Sequence, residues 1–191
     1  MSGVMIFLAV ILGLALLVAV WVIAIYNRLV ALRQTTNQSW SDVDVQLKQR
    51  HDLVPNLVET VKGYAGHERG TLDAVIQARN AALTAKGPED AGAAEGLLGA
   101  ALGRLFALSE AYPDLKANTN FVQLQRDLGD IENKIAAARR FYNASVSEYN
   151  AMTESFPAVV FASGFGFRQR GFFEVAEAER AAIQQAPQVK F

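Results

Sequence analysis

An uninterrupted apolar run near the amino terminus is the feature that most constrains this chain. The 22 residues from Val4 to Ile25 contain no charged residue, no proline and one glycine. As an α-helix they would rise about 33 Å, which matches the hydrocarbon thickness of a bilayer. A signal peptide needs a basic segment before its apolar run and a small-residue cleavage site after it. Here the basic segment is absent and the cleavage site is weak, so the run predicts an uncleaved transmembrane helix.

The charges that flank this run predict its orientation. No lysine or arginine precedes it, whereas Arg28, Arg33, Lys48 and Arg50 follow it. Basic residues are enriched on the cytoplasmic side of a span, so we expect the short N-terminus outside and the remainder in the cytoplasm. The lack of cysteine excludes disulfides and thiol catalysis. A net charge of −1 gives no reason to expect a nucleic-acid partner.

After the apolar run, the chain has the periodicity of amphipathic helices. Apolar residues recur at alternating intervals of three and four, the spacing of a heptad seam. One seam runs over residues 40–64 with Arg50 as its interruption and keeps its phase across Pro55, which predicts one kinked helix. A second seam covers residues 121–152. Two further helices are predicted between these seams, at about 67–85 and 91–112.

These elements predict an all-α fold with three parts. Residues 1–25 form the short N-terminus and transmembrane helix, residues 26–155 an antiparallel four-helix bundle with a long, kinked first helix, and residues 156–191 an aromatic C-terminal tail. Four antiparallel helices return the chain to the end where it started, so we expect the tail near the membrane surface.

The tail is rich in phenylalanine interleaved with arginine, a combination suited to lipid headgroups. The alternatives are that its rings cover an exposed end of the bundle or mediate contacts between subunits. The residues predicted to contact membrane or partner are Phe161, Phe165, Phe167, Arg168, Arg170, Phe172 and Phe173.

Three consecutive polar residues and a proline interrupt the first seam. His51 with Asp52 suggests general-base chemistry, but sequence neighbours on a helix point about 100° apart. Pro55 lacks an N–H, so the His51 carbonyl loses its helical partner, and nearby side-chain donors would lower the cost of a kink there. We interpret these residues as part of a buried polar network that fixes helix register, with Arg79 as a further candidate. Its predicted members are Arg50, His51, Asp52, Glu110, Lys116, Glu132 and Arg139.

This interpretation makes Asp52 a buried counterion, so Asp52→Ala should cost about 3 kcal/mol if the pair is fully buried.

Known reaction motifs fail. His67-Glu68 begins like a zinc-protease motif but lacks the second histidine, and the sequence has no phosphate-binding glycine loop and no nucleophile elbow. We therefore assign no catalytic, cofactor-binding or metal-ligating residue and expect no cofactor.

Several blocks together resemble the LemA family of bacterial membrane proteins. They begin with YNRLVALR directly after the apolar run. The most specific block is WSDVDVQLKQRHDLVPNLVETVKGYAGHE, and EAYPDLKAN and NFVQLQRDLGDIENKIAAARRFYNASVSEYN follow it. The resemblance implies one N-terminal span in the bacterial inner membrane and a cytoplasmic helical bundle. It implies no reaction, because the family has no established enzymatic activity.

Three functions are compatible with these features. The first is a non-enzymatic, single-pass membrane scaffold or protein-interaction platform that self-associates and contacts lipid and unidentified membrane or cytoplasmic proteins. The second is an enzyme or ligand-binding protein with a polar site around Arg50, His51, Asp52 and Glu132. The third is a membrane-shaping protein that inserts its aromatic tail.

Overall fold

A computed structural model of the protein describes residues 2–174, and all regular structure in this range is helical, which confirms the all-α prediction. The helices are α1 (Ser2–Ala65), α2 (Arg69–Thr84), α3 (Gly87–Ser109), α4 (Pro113–Lys116) and α5 (Thr119–Glu154), and a 3₁₀ turn follows at Ala158–Val160. The last 17 tail residues, 175–191, lie outside the described part of the chain.

The helix boundaries follow local sequence signals. Pro55 lies inside α1, which continues as helix on both sides of it. Gly87 adopts a φ of 80° between α2 and α3, a conformation that a residue without Cβ tolerates. At the start of α5, the Phe121 N–H donates to Oδ1 of Asn118 over 3.0 Å, so Asn118 caps this helix.

The segment between α3 and α5 contains a short helix of its own. Pro113 opens the one-turn helix α4, whose Leu115 is fully buried. The half-buried Tyr112 donates its hydroxyl to Oε1 of Glu68 over 3.3 Å. Partial desolvation and the Glu68 carboxylate raise the pKa of the Tyr112 phenol above its usual value.

The described residues divide into two compact units, and each contains part of α1 and part of α5. The first unit comprises residues 2–38 and 144–170, and the second comprises residues 39–143 and 171–174.

The second unit is a helical bundle around one apolar core. All five helices contribute to it, and most residues of both predicted seams in this unit are buried or half-buried, with Tyr64 at the end of the first seam exposed. From α1 the core contains Val54, Leu57, Val58, Val61 and Ala65; from α2 Leu72, Val75 and Ala82; from α3 Leu98, Ala101, Leu102 and Leu105; from α4 Leu115; and from α5 Phe121 and Leu128.

The first unit pairs the start of α1 with the end of α5. Oγ1 of Thr36 donates to the Ser145 carbonyl over 3.4 Å, and Arg28 pairs with Glu148 at 2.5 Å. As α5 advances, its partners lie earlier in α1, so the two helices are antiparallel. A small core joins them to the start of the tail and contains Ile25, Leu29, Leu32, Tyr149, Ala158, Ala162 and Phe167.

The apolar start of α1 is a candidate membrane span. Its residues from 2 to 24 are exposed except for the half-buried Gly13 and Val22. Helix α3 is also long and apolar enough to cross a membrane, but it packs in the core and carries the buried Glu95. We therefore regard α3 as a core helix, whereas the α1 segment presents its apolar side chains outward all around, as a helix in lipid does.

A glycine in α3 provides a test of how the tail packs. A Cβ at Gly92 would collide with the backbone of Glu174, so Gly92→Ala must displace residues 171–174. We expect a loss of about 1–3 kcal/mol in the free energy of unfolding. The measurement is denaturation of the full-length protein in detergent.

The matched control lies on the same helix. A Cβ at Gly103 would meet nothing within 4 Å, so Gly103→Ala should be neutral or stabilise by up to about 1 kcal/mol. If the two variants unfold alike, the described packing of the tail on α3 is wrong.

Candidate functional site

Four side chains from three helices of the second unit form a polar network in the bundle. Arg50 and His51 of α1 are each 5 % exposed, and Glu95 of α3 is also 5 % exposed. Nη1 of Arg50 lies 3.0 Å from Oε2 of Glu95, and Nη2 lies 2.7 Å from Oε1 of Glu132 on α5. Nε2 of His51 lies 2.5 Å from Oε1 of Glu95. Glu95 therefore bridges both α1 side chains through its two oxygens.

The position of Arg50 in the heptad seam explains why its cation is buried. Its neighbours in the seam, Leu47 and Val54, are 4 % and 0 % exposed. A buried guanidinium is costly unless carboxylates compensate it, and Glu95 and Glu132 supply two. Nε of Arg50 has no hydrogen-bond partner among the described residues, and neither has Oε1 of Gln46, one turn earlier on α1.

Glu95 is the member of this network that sequence reasoning missed. The signal that could have found it is the stripe Ala91, Glu95, Leu98, Leu102, Leu105, which has the same alternating spacing as the other seams. Every residue of this stripe is buried. A charge on such a stripe needs a buried partner, and Arg50 is the cation with the equivalent position on α1.

The backbone gap at Pro55 is also filled. Proline at position 55 cannot donate to the carbonyl of His51, and Nε of the half-buried Arg79 on α2 donates to that oxygen over 2.7 Å. The sequence prediction that a side-chain donor lowers the cost of Pro55 therefore has its structural counterpart here. Because the donor comes from a different helix, the proline also joins α2 to α1.

Asp52 and three other predicted members lie outside this network. Asp52 is exposed, because it points away from the side of α1 that carries His51. The loss of stability expected for Asp52→Ala required a fully buried ion pair, and the exposed Asp52 does not meet this condition. Glu110 and Lys116 form a pair of their own at 2.5 Å, with both side chains more than half exposed. Arg139 is half-buried and forms no ion pair with any described residue.

Asp52 instead lines an open groove between α1 and α5 in the second unit. The groove has a volume of about 420 Å³. Asp52, Asp130 and Lys134 are exposed there, and the half-buried Asp127 accepts a hydrogen bond from Gln123 at 2.8 Å. The complete lining is Gln49, Asp52, Leu53, Asp127, Asp130, Ile131 and Lys134.

Two asparagines of α5 hold the start of the tail through its backbone. In the first unit, the amide of Asn150 donates to the Arg170 carbonyl and accepts from the Arg170 N–H, both at 2.9 Å. In the second unit, Asn143 makes the same paired contact with Phe173 at 3.1 and 2.9 Å. A side-chain amide used in this way replaces a strand partner, so residues 170–173 are held to α5 as part of the fold.

The predicted tail contacts therefore separate into inner and outer residues. Phe167 and Phe173 are 3 % and 1 % exposed, which contradicts the prediction that they contact membrane or partner. Phe167 packs against Tyr26 and lies under the Arg33 guanidinium at 5.0 Å, and Phe173 packs against Trp40. Phe161 and Arg170 are half-buried, whereas Phe165, Arg168 and Phe172 are exposed.

The geometry limits what chemistry the network can perform. Arg50 and His51 are both bonded to Glu95 inside the bundle, and no group of three metal-binding side chains occurs within residues 2–174. Glu132, whose side chain is 47 % exposed, is where the network reaches the surface. The arrangement can hold three helices in register, and one of its carboxylates, that of Glu132, reaches solvent.

The fold and these sites define a class: an all-α protein with an apolar N-terminal helix that is a candidate membrane span, and a bundle fixed by an internal charge network. Residues 39–191 match the profile of the LemA family. The chain belongs to the LemA family, as the sequence blocks predicted.

Relatives of known name are similar over most of the chain. The magnetosome protein MamQ of Magnetospirillum gryphiswaldense is 28 % identical over 174 residues, which cover 78 % of this chain and 64 % of that protein. MamQ 2 of Paramagnetospirillum magneticum is 27 % identical over 175 residues with the same coverage. The protein LemA of Metamycoplasma hominis is 24 % identical over 161 residues, covering 82 % of this chain and 72 % of that protein. This chain thus spans slightly under two thirds of the length of the MamQ relatives.

The network predicts a graded response to the loss of single carboxylates. Glu95→Gln leaves buried Arg50 and His51 without their shared anion, and we expect a loss of about 3 kcal/mol in the free energy of unfolding. Glu132→Gln should cost about 1 kcal/mol or less, because its side chain is half exposed. Asp52→Ala, the exposed control, should change stability by less than about 0.5 kcal/mol. Equal losses for Glu95→Gln and Asp52→Ala would contradict the described network.

The contact at Pro55 predicts a coupling that a double-mutant cycle measures. Arg79→Met leaves the buried His51 carbonyl without its donor and should cost about 1–3 kcal/mol. Pro55→Ala restores an N–H that can bond to the same carbonyl. In the Pro55→Ala background, Arg79→Met should therefore cost much less. Identical costs in both backgrounds would mean that Arg79 acts through other contacts.

Proposed function

We propose that the protein is a non-enzymatic, single-pass membrane scaffold that associates with copies of itself and presents a helical bundle to partners. The observation that carries this proposal is the internal pairing of the charges in the bundle, together with an apolar helical segment that the described chain leaves uncovered. In this proposal the segment anchors the protein in the bacterial inner membrane, with the N-terminus outside and the bundle in the cytoplasm.

The uncovered start of α1 supports an anchor that also makes lateral contacts. Side chains such as Phe7, Leu12, Leu17 and Trp21 are at least 50 % exposed. Exposure of these apolar side chains to water is unfavourable, whereas lipid or a second apolar helix would cover them. An isolated span has no second span of its own chain to pack against, so copies of the same span are its natural neighbours.

The state of the polar residues argues against a reaction centre. A general base needs access to a substrate proton, but His51 is buried and bonded to Glu95, and Arg50 is paired at both terminal nitrogens. A structural network requires that buried polar groups have partners, and Arg50 and His51 have them. Their paired nitrogens therefore bond within the bundle and not to a substrate.

The groove supports an alternative function as a ligand-binding protein. Asp52, Asp130 and Lys134 lie in one open depression, and its carboxylates keep their water because they are exposed. Catalytic acids and bases are usually desolvated, so the groove supports binding of a polar or basic group more than a reaction. Relatives named as magnetosome proteins are compatible with either function and favour neither.

Site-specific crosslinking in native membranes tests the scaffold proposal. The chain has no cysteine, so Leu12→Cys in the apolar segment and Asp130→Cys in the groove each provide one attachment point for a photo-crosslinker on the full-length protein. We expect Leu12→Cys to give a product of twice the chain's mass, because spans of neighbouring copies pack together. The label at Asp130 should give products with partner proteins.

Gln77→Cys on the exposed side of α2 is the matched control, and it should give neither product reproducibly. A protein that stays monomeric at every labelled position, with no reproducible neighbour, would contradict the proposal. A small molecule that co-purifies with the protein and is lost in Asp52→Ala would favour the ligand-binding alternative.

A further inference from the structure

Four large apolar side chains of the first unit are exposed beside the end of the candidate span. We call them the boundary patch: Phe156, Val159, Val160 and Phe165, which are 80 %, 48 %, 73 % and 53 % exposed. Three of them flank or lie in the 3₁₀ turn Ala158–Val160, and the fourth follows shortly after. Contact of such an apolar surface with water is unfavourable, so its exposure indicates an interaction site.

Packing within the first unit fixes where the patch lies along α1. Ala158, in the middle of the patch sequence, is buried in the same core as Ile25, the last residue of the apolar run. The ring of Phe165 meets the ring of Tyr26 edge-on at 5.4 Å between centroids. Because Val159 and Val160 directly follow Ala158, they cannot be more than a few ångströms from this level.

The antiparallel pairing of α5 with α1 leads to the same position. Ser145 lies opposite Thr36, and Glu148 reaches Arg28. Helix α5 ends at Glu154, so the chain leaves it opposite the place where the apolar run stops. Arg28 lies about one helical turn past Ile25 and pairs with Glu148.

We propose that the boundary patch inserts into the headgroup–acyl boundary of the bilayer around the base of the span. This proposal rests on the membrane anchoring of the proposed function and adds a second, non-spanning lipid contact to it. The depth of the boundary patch in the bilayer follows from its packing beside Ile25 and Tyr26. If Ile25 ends the hydrocarbon-spanning segment, side chains at the same level lie at the interface. The interface accommodates apolar and aromatic side chains next to charged ones.

This patch differs from the surface that composition alone suggests. Phe167, which lies between Phe165 and Arg168 in sequence, is buried against Tyr26 and Leu29 in the core of the unit. Phe156 and Val160, which the sequence pattern of phenylalanine and arginine does not include, are the two most exposed members of the patch. The lipid contact is therefore assigned to the turn at Ala158–Val160 more than to the Phe/Arg segment after it.

Fluorescent labels at single cysteines measure the depth of the patch. The full-length protein carrying Val160→Cys or Phe156→Cys is labelled with an environment-sensitive fluorophore. It is reconstituted into vesicles of phosphatidylethanolamine and phosphatidylglycerol with brominated acyl chains. We expect blue-shifted emission at both labelled positions. Quenching by the brominated lipid should be several-fold stronger, and quenching by aqueous iodide several-fold weaker, than for the control Gln38→Cys. Gln38 is exposed in the same unit and lies about 20 Å further along α1 from Ile25.

Leu12→Cys, in the middle of the span, separates the two levels of the proposal. If Leu12→Cys is quenched by lipid but Val160→Cys and Phe156→Cys behave like Gln38→Cys, the boundary patch is overturned and the anchor stands. If Leu12→Cys is not quenched either, anchoring fails and the patch proposal fails with it. The same labels in nanodiscs that hold one chain each test a second copy as the occupant. Loss of the blue shift there would assign the patch to self-association and overturn lipid insertion.

Discussion

The pairing of Arg50 with Glu95 is the interaction on which the bundle depends. A guanidinium placed in the apolar seam of α1 cannot be buried unless a carboxylate meets it at the same level. Glu95 occupies the equivalent place in the stripe of α3, and Glu132 approaches from α5. A shift of any of these helices by one turn, about 5.4 Å, would separate charge from countercharge. We infer that the network selects one register among the several that apolar seams alone would allow.

Pro55, five residues after Arg50, adds a second constraint. Alone it would leave a buried carbonyl unpaired within α1, a cost that favours an interrupted helix. The contact from Arg79 to the His51 oxygen removes that cost while α2 is in place. Arg50 and His51 thus connect α1 to α3 and α5 through side chains, and the proline connects α1 to α2 through the backbone. Within the second unit, one short segment of α1 contacts all three other long helices.

Periodicity was sufficient to predict the helices and their buried faces. Val43, Leu47, Val54 and Val61 are buried as their three–four spacing requires, because a repeat of 3.5 residues keeps one face of a helix inward. The same argument placed Arg50 inside. It did not place Glu95, because the apolar series recognised in α3 begins only at Leu98, after Glu95. The prediction for Asp52 is wrong because its place on the turn of α1 is exposed, whereas the two preceding residues, Arg50 and His51, are buried.

The tail shows why composition could not predict its contacts. Its phenylalanines have the same chemistry, yet Phe167 and Phe173 are buried while Phe156 and Phe165 are exposed. Backbone anchors on α5 fix part of this path: Asn150 holds Arg170, and Asn143 holds Phe173, each through two hydrogen bonds. Such anchors are set by three-dimensional register, which a count of aromatic residues does not contain. The exposed ring of Phe165 contacts Tyr26, next to Ile25 at the end of the apolar run. In the proposed membrane anchoring, this position places the exposed ring in the lipid interface.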